Sequence, residues 1–319
     1  MKRKYSIITG FLGNLQDRFT QYQPSRNIEK IIEMASKVKG CSGLEVIYPQ
    51  DFEDYDKLKK LLKEYNLDVS SVNLNIKSEE KWRFGAFTSV KKEVREDAKN
   101  HLKKAMDIAA ELGCNLVTTC PLADGSDYTF EIDYVKAFNN TIEILSEAAD
   151  YRKDVRISLE YKISEPRAHT VFNNAGKMAY LCNIINKDNV GVTLDVGHAF
   201  QALEIPADSV AFLGTTNRLF YVHINDNYRN WDWDMVPGTV NFWSYLELIL
   251  YLKKVGYNDW ITADVFPQRH DPIKIMEKTF EWMDYMYDIV DKIDENELYK
   301  MQSEGADAFD IFDYVRSKV

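Results

Sequence analysis

The sequence predicts a (β/α)8 TIM barrel with a C-terminal helical tail, on three observations. Eight short apolar runs rich in β-branched and aromatic residues recur along the 319 residues, with room for a helix between neighbours. The segments between them show the i, i+3, i+4 apolar spacing of amphipathic helices. No Gly-rich phosphate loop follows the first run, where a dinucleotide-binding fold needs one. Alternating strand and helix implies a parallel sheet. Eight units imply a closed one, and an open doubly wound sheet is the alternative because the count alone does not prove closure.

The expected strands are SIITGFL (6–12), GLEVIYP (43–49), VSSVNLNI (69–76), LVTTCP (116–121), RISLEYK (156–162), VGVTLDV (190–196), RLFYVHIN (218–225) and WITADVF (260–266). The first follows a basic start, MKRK, that imitates a secretion signal. The apolar stretch is short and no small-residue cleavage site follows, so it reads as a strand. Helices are expected over 27–40, 54–66, 94–113, 134–151 and 272–290. Gly40, Gly113 and Gly256 each stand just before the next strand, as C-terminal glycine caps do. The barrel domain is expected to span 1–290. Residues 291–319 carry an apolar stripe of Leu298, Phe309, Ile311, Phe312 and Val315, expected to pack as a helical extension on the barrel or on a neighbouring subunit.

Composition bounds the function. An apolar share of 45% and a charged share of 28% are ordinary for a globular enzyme, and no apolar run approaches the ~20 residues of a membrane span. A formal charge of -10 repels phosphate backbones, so nucleic acid is a poor partner and a small uncharged substrate a better one. Cys41, Cys114, Cys120 and Cys182 lack CxxC spacing, and Cys114 and Cys182 fall in apolar helical surroundings, which points to free thiols in a reducing cytoplasm.

The chemistry concentrates at the carboxyl ends of the last four strands, where a barrel builds its active site. Glu160 closes strand five, Asp195 strand six, His223 strand seven and Asp264 strand eight. Three carboxylates and an imidazole suit Mn2+, Co2+ or Mg2+ better than zinc. Lys162 lies two residues after Glu160 and so on the same face, beside the metal, where an ammonium can polarise a carbonyl oxygen. His198, three residues after Asp195, together with Asp232 and Asp234 could hold a second metal. Each group has a plainer reading: helix cap or ion-pair partner for the carboxylates, a pairing with Glu160 or Glu165 for Lys162, packing for His198. Asp232 and Asp234 could equally mark a surface loop whose Trp231 and Trp233 face a sugar or a subunit. His101 reads as surface, and His169 and His270 as candidate supports for the site.

At these residues the chain resembles the xylose isomerase-like barrel superfamily, and within it the L-rhamnose isomerases. LEYKISEPR is similar to the family's Glu-x-Lys-x-x-Glu-Pro segment, TLDVGHAF to its Asp-x-Gly-His segment, VHIND with DWD to its histidine and Asp-x-Asp pair, and ADVFPQRHDPI to the segment carrying the last ligand. WRFGAFTS and ADGSDYTF resemble the loops after strands three and four. The resemblance implies a structural metal on Glu160, Asp195, His223 and Asp264, and a catalytic metal on His198, Asp232 and Asp234 with Asp195 bridging. It implies that Lys162 contacts the sugar's O1, and that a hydride shift between C2 and C1 interconverts an aldose and its ketose in a homodimeric or homotetrameric enzyme. The chain departs from the pattern in three ways: one extra residue between His223 and Asp232, no histidine before His101, and Cys120-Pro121 where those enzymes have a tryptophan.

Three other functions compete. A ketose 3-epimerase of the same superfamily needs two carboxylates on opposite faces of C3, commonly glutamates, and the shorter Asp264 counts against it. A metal-dependent repair endonuclease is poorly served by five histidines and a charge of -10. A non-catalytic sugar-binding protein would keep the barrel alone.

Overall fold

Hydrogen bonding around the barrel closes the sheet that the alternating pattern predicts. The computed structural model describes residues 3–165 and 167–319; Met1, Lys2 and Pro166, the proline of the LEYKISEPR run, lie outside them. Eight parallel strands, β1 (Tyr5–Ile8), β2 (Cys41–Tyr48), β3 (Asp68–Leu74), β4 (Leu116–Thr119), β5 (Arg156–Glu160), β6 (Val190–Asp195), β7 (Leu219–Ile224) and β8 (Ile261–Ala263), follow one another in sequence order. Tyr5 pairs with Cys41 on one side and with Ile261 on the other, which joins first strand to last.

The helices begin where short polar side chains can accept the free backbone N–H groups of a first turn. Asn27 caps α1 (Ile28–Lys37), Asp54 α2 (Tyr55–Glu64), Asp133 α4 (Tyr134–Tyr151), Asn174 α5 (Ala175–Ile185) and Asp271 α9 (Pro272–Val290), each accepting from the N–H three residues on. The long α3 (Lys92–Leu112) ends at Gly113, whose φ of 77° is left-handed. Between β6 and β7 run two helices, α6 (Val196–Gln201) and α7 (Pro206–Thr215), followed after β7 by α8 (Phe242–Lys254). Their apolar faces meet the outer face of the sheet in one continuous core that includes Ile32, Leu58, Leu102, Leu145, Met178, Leu213, Ile249 and Met283. Two terminal helices, α10 (Glu295–Ser303) and α11 (Ala308–Arg316), lie against α8: Leu298 is buried and the Phe312 ring stands 4.7 Å from that of Trp243.

Several expectations need correction. β1 stops at Ile8 and residues 9–12 coil into a 3-10 turn, where Thr9 donates to Asp51 at 2.5 Å. β8 ends at Ala263 because the chain peels away: the Asp264 N–H still reaches Ile224, but the Phe266 N–H bonds Asp234 in the loop after β7. Cys114 lies just past α3 rather than within a helix. His101 is half-buried rather than fully at the surface; its ring meets Trp82 edge-on at 5.6 Å and lies 6.0 Å from Tyr48. Among the described residues, no helix is long and apolar enough to cross a membrane.

The amino end of the barrel is plugged by Leu116, Phe220, Tyr221 and Trp260. Two glycines make room for it. A Cβ at Gly191 would fall 2.5 Å from the Phe220 ring, and one at Gly43 2.6 Å from Trp260. Gly191→Ala is therefore expected to cost about 1–3 kcal/mol of unfolding free energy through overpacking, read by urea denaturation, while metal binding at the far end of the barrel is unchanged. A loss below about 0.5 kcal/mol would contradict this packing account.

Candidate metal centre

The inside of the barrel is polar where most barrels are aliphatic. Ser6 and Thr262 share a hydrogen bond of 2.6 Å, Thr262 donates to the Tyr221 hydroxyl at 2.5 Å, and Thr193 bonds both Thr118 and Ser158. This lining carries side chains upward to the carboxyl ends of β5–β8. There Glu160, Asp195, His223 and Asp264 each offer a ligand atom, and these four atoms all lie within 4.8 Å of one another. Register explains the meeting: Asp195 pairs with His223 across β6 and β7, and Thr193 with Glu160 across β5 and β6.

Asp195 is both the last residue of β6 and the N-cap of α6, its carboxylate accepting from the His198 N–H at 2.8 Å. That capping turn folds the His198 imidazole back beside its own cap. Asn225 steadies the same carboxylate, donating to both oxygens at 3.1 and 2.9 Å. A Cβ on Gly197 would fall 1.8 Å from the Asn225 amide oxygen, so the glycine of TLDVGH is a condition of the clamp. Asp195, His198 and Asp232 form a second group with ligand atoms within 4.8 Å, and Asp195 belongs to both groups; Asp234, expected as a ligand beside His198 and Asp232, is not part of it.

His198 lies between the two. Its Nδ1 is 3.0 Å from Glu160 Oε1 and its Nε2 3.0 Å from Asp232 Oδ2. Lys162, 8% exposed, is held by Asp232 at 2.8 Å and by Glu165. Its partners are thus Glu165 and Asp232 and not Glu160, and it is no solvated strand-end charge. A small sheet beyond the barrel, formed by residues 125–126, 164–165 and 168–170, carries Glu165 to this position.

Seven carboxylates, Glu45 and Glu165 among them, surround one ammonium and two imidazoles, an imbalance that only cations or protons can offset. Burial first, then Asp264, Glu160 and Asp232, pushes the Asp195 carboxyl up to about 7 despite His198. Burial and the neighbouring Asp232 and Asp264 also raise Asp234. Against the cost of burial, His223 and His198 hold Glu160 well below the usual carboxylate range, and Asp232 and Glu165 raise Lys162. Burial would lower His198 and His223, but Asp195 and Asp232 raise the first and Glu45 and Glu160 the second.

These residues fit a cation. His223 Nδ1 is buried without a hydrogen bond, facing Glu160 and Asp264 at 3.4 Å each and Asp195 at 3.9 Å. His198 Nδ1 and Asp232 Oδ1 are buried without hydrogen bonds as well. An unpartnered imidazole nitrogen facing three carboxylates, as at His223, is what a divalent ion satisfies.

Sequence reasoning missed Glu45. From β2, fully buried, it accepts from Ser71 at 2.8 Å and Asn73 at 2.6 Å and meets His223 Nε2 at 3.0 Å. A carboxylate on Nε2 keeps the proton there and leaves the Nδ1 lone pair for a metal. The signal was a lone acid inside GLEVIYP. His169 and His270, expected as supports, are both exposed. Trp233 is 42% exposed and borders, with Asp234, Tyr228 and Phe266, a cavity of about 560 Å³. A larger one of about 1010 Å³ is lined by Lys77, Arg83, Thr88, Ser126 and Glu165, from the loops after β3, β4 and β5.

A family model described as "Xylose isomerase-like TIM barrel" matches residues 32–286. The xylose isomerase of Thermus thermophilus is 28% identical over 207 residues, which are 63% of this chain and 54% of that protein. The chain spans about half the length of the curated relatives it matches. Among solved structures, the D-allulose 3-epimerase from Methylomonas sp. in complex with D-allulose superposes with a TM-score of 0.70 at 21% identity, covering 90% of this chain and 98% of that one. An L-ribulose 3-epimerase gives a TM-score of 0.70 at 15% identity over 91% and 96% of the two chains. At these identities the likeness is one of fold.

Glu45→Gln is expected to weaken Mn2+ binding to demetallated protein by about 10–100-fold, read by calorimetry, with the far-UV spectrum unchanged. Wild-type affinity in a folded Glu45→Gln protein would contradict the role given to Glu45.

Proposed function

The chain belongs to the xylose isomerase-like TIM barrel family, and from that premise we propose that it is a divalent-cation-dependent monosaccharide isomerase. The convergence of Glu160, Asp195, His223 and Asp264 carries the reading. A divalent ion bound there would supply a Lewis acid for the hydroxyl and carbonyl oxygens of an open-chain sugar; Mn2+ is the proposed ion, with Co2+ and Mg2+ as alternatives.

Two reactions fit this class. The first is aldose–ketose interconversion. The C2 hydrogen moves to C1 with its electron pair, O2 loses a proton and O1 gains one. Lys162 is the candidate donor to O1, turning from Asp232 and Glu165 toward the substrate, and Asp234 the candidate to exchange the O2 proton. His198 with Asp232 and Asp195 would hold a second cation, for which the 4.8 Å spread of their ligand atoms is the support. The second is epimerisation at C3 of a ketose. Glu160 and Asp264, each 3.4 Å from His223 Nδ1, are the candidate carboxylates to remove the C3 proton on one face and return one on the other. The solved structures named above favour this second reaction; Lys162 and the second donor group are the equipment that favours the first. The proposal extends to a cytoplasmic homo-oligomer acting on a small neutral sugar.

Demetallated protein incubated with aldoses and ketoses in D2O, with and without Mn2+, separates the two by NMR. The aldose–ketose reading predicts cation-dependent conversion that falls at least 100-fold in Lys162→Met. The epimerase reading predicts inversion and deuterium uptake at C3 with the ketone kept at C2. No cation-dependent turnover of any sugar would contradict both.

A further inference from the structure

We propose that Cys120, Glu160 and His198 form an alternative site for a thiophilic divalent ion, exclusive of the oxygen-rich position at Asp232. The proposal rests on the reading of this barrel mouth as a cation centre. Cys120 follows β4 and is buried, and its sulfur lies within 4.8 Å of a Glu160 oxygen and a His198 nitrogen, which lie equally close to each other.

His198 has two faces. Nδ1 looks at Glu160 Oε1 from 3.0 Å, buried and without a hydrogen bond, while Nε2 meets Asp232 Oδ2 at 3.0 Å. A neutral imidazole has one lone pair and one N–H. When the proton is on Nε2 and is given to Asp232, the Nδ1 lone pair completes a sulfur, nitrogen and oxygen set with Cys120 and Glu160. That set suits Zn2+ or Cd2+. When the proton is on Nδ1 and is given to Glu160, the Nε2 lone pair joins Asp232 and Asp195, a set for Mn2+ or Mg2+.

One imidazole serves one metal at a time, so the two positions exclude one another. Glu160 does not have to leave the first group, because its Oε2 faces His223 at 3.4 Å while Oε1 faces His198. On binding, the Cys120 S–H bond breaks, the sulfur–metal bond forms from the thiolate, and the proton leaves to solvent. A thiophilic ion captured this way leaves Nε2 protonated against Asp232 and so denies the second position its nitrogen ligand.

The test titrates Cd2+ into demetallated protein and follows the ultraviolet sulfur-to-cadmium charge-transfer band, with Mn2+ binding measured in parallel by calorimetry. The expected result is a saturable band in the wild type, lost in Cys120→Ser and retained in Asp232→Asn, with Mn2+ affinity and the far-UV spectrum of Cys120→Ser unchanged. Cys120→Ser is further expected to raise at least 10-fold the Cd2+ concentration that displaces Mn2+. A band that survives in Cys120→Ser, arising from Cys41, Cys114 or Cys182, overturns the proposal. Mn2+ binding with no sulfur band overturns it while leaving the proposed function standing. Failure to bind either ion overturns both.

Discussion

Crowding of like charge inside a closed barrel is the constraint on which the rest of this structure depends. Glu160, Asp195, Asp232, Asp234 and Asp264 converge at one mouth, and ordinary folding gains nothing from bringing them together. Asp195 and Asp232 are held by features that would be pointless without the convergence. Asn225 clamps Asp195, Gly197 leaves room for Asn225, and Asp232 is pinned by Lys162 and His198. A cation turns that repulsion into coordination, so stability and chemistry share one set of contacts.

The polar interior follows from the same constraint. A barrel filled by aliphatic layers could not support a buried Glu45, yet Glu45 sets which nitrogen His223 presents to the site. Ser71, Asn73, Tyr221, Thr262 and Ser6 form the chain of hydroxyl and amide groups that satisfies it. Hydrophobic burial is displaced to the outer shell, where helices meet the sheet, and to the aromatic plug at the amino end. Cohesion and chemistry are thereby separated in space.

Much of this is legible in the sequence because it follows from short-range geometry. The eight strands are visible as apolar runs, and the three-residue step from Asp195 to His198 is at once a capping spacing and a ligand spacing. What is not legible depends on register between distant segments. Glu45 and His223 are 178 residues apart, and an acid inside GLEVIYP looks like the outward position of an alternating strand until closure turns it inward. The choice of Glu165 over Glu160 as partner of Lys162 depends on the small sheet formed by residues 164–165 and 168–170, whose strands are too short to leave a periodic signal. His101 reads as a surface residue because the Trp82 it packs on comes from a loop that the pattern of α3 says nothing about.

The central claim is that Glu160, Asp195, His223 and Asp264 are spaced for a divalent cation. Diffraction from crystals of the Mn2+-loaded protein at the manganese absorption edge tests it most directly. The account predicts an anomalous peak bonded to His223 Nδ1 and to oxygens of all three carboxylates. Manganese bound elsewhere on the chain, with this cluster free of any anomalous peak at saturating Mn2+, would contradict it.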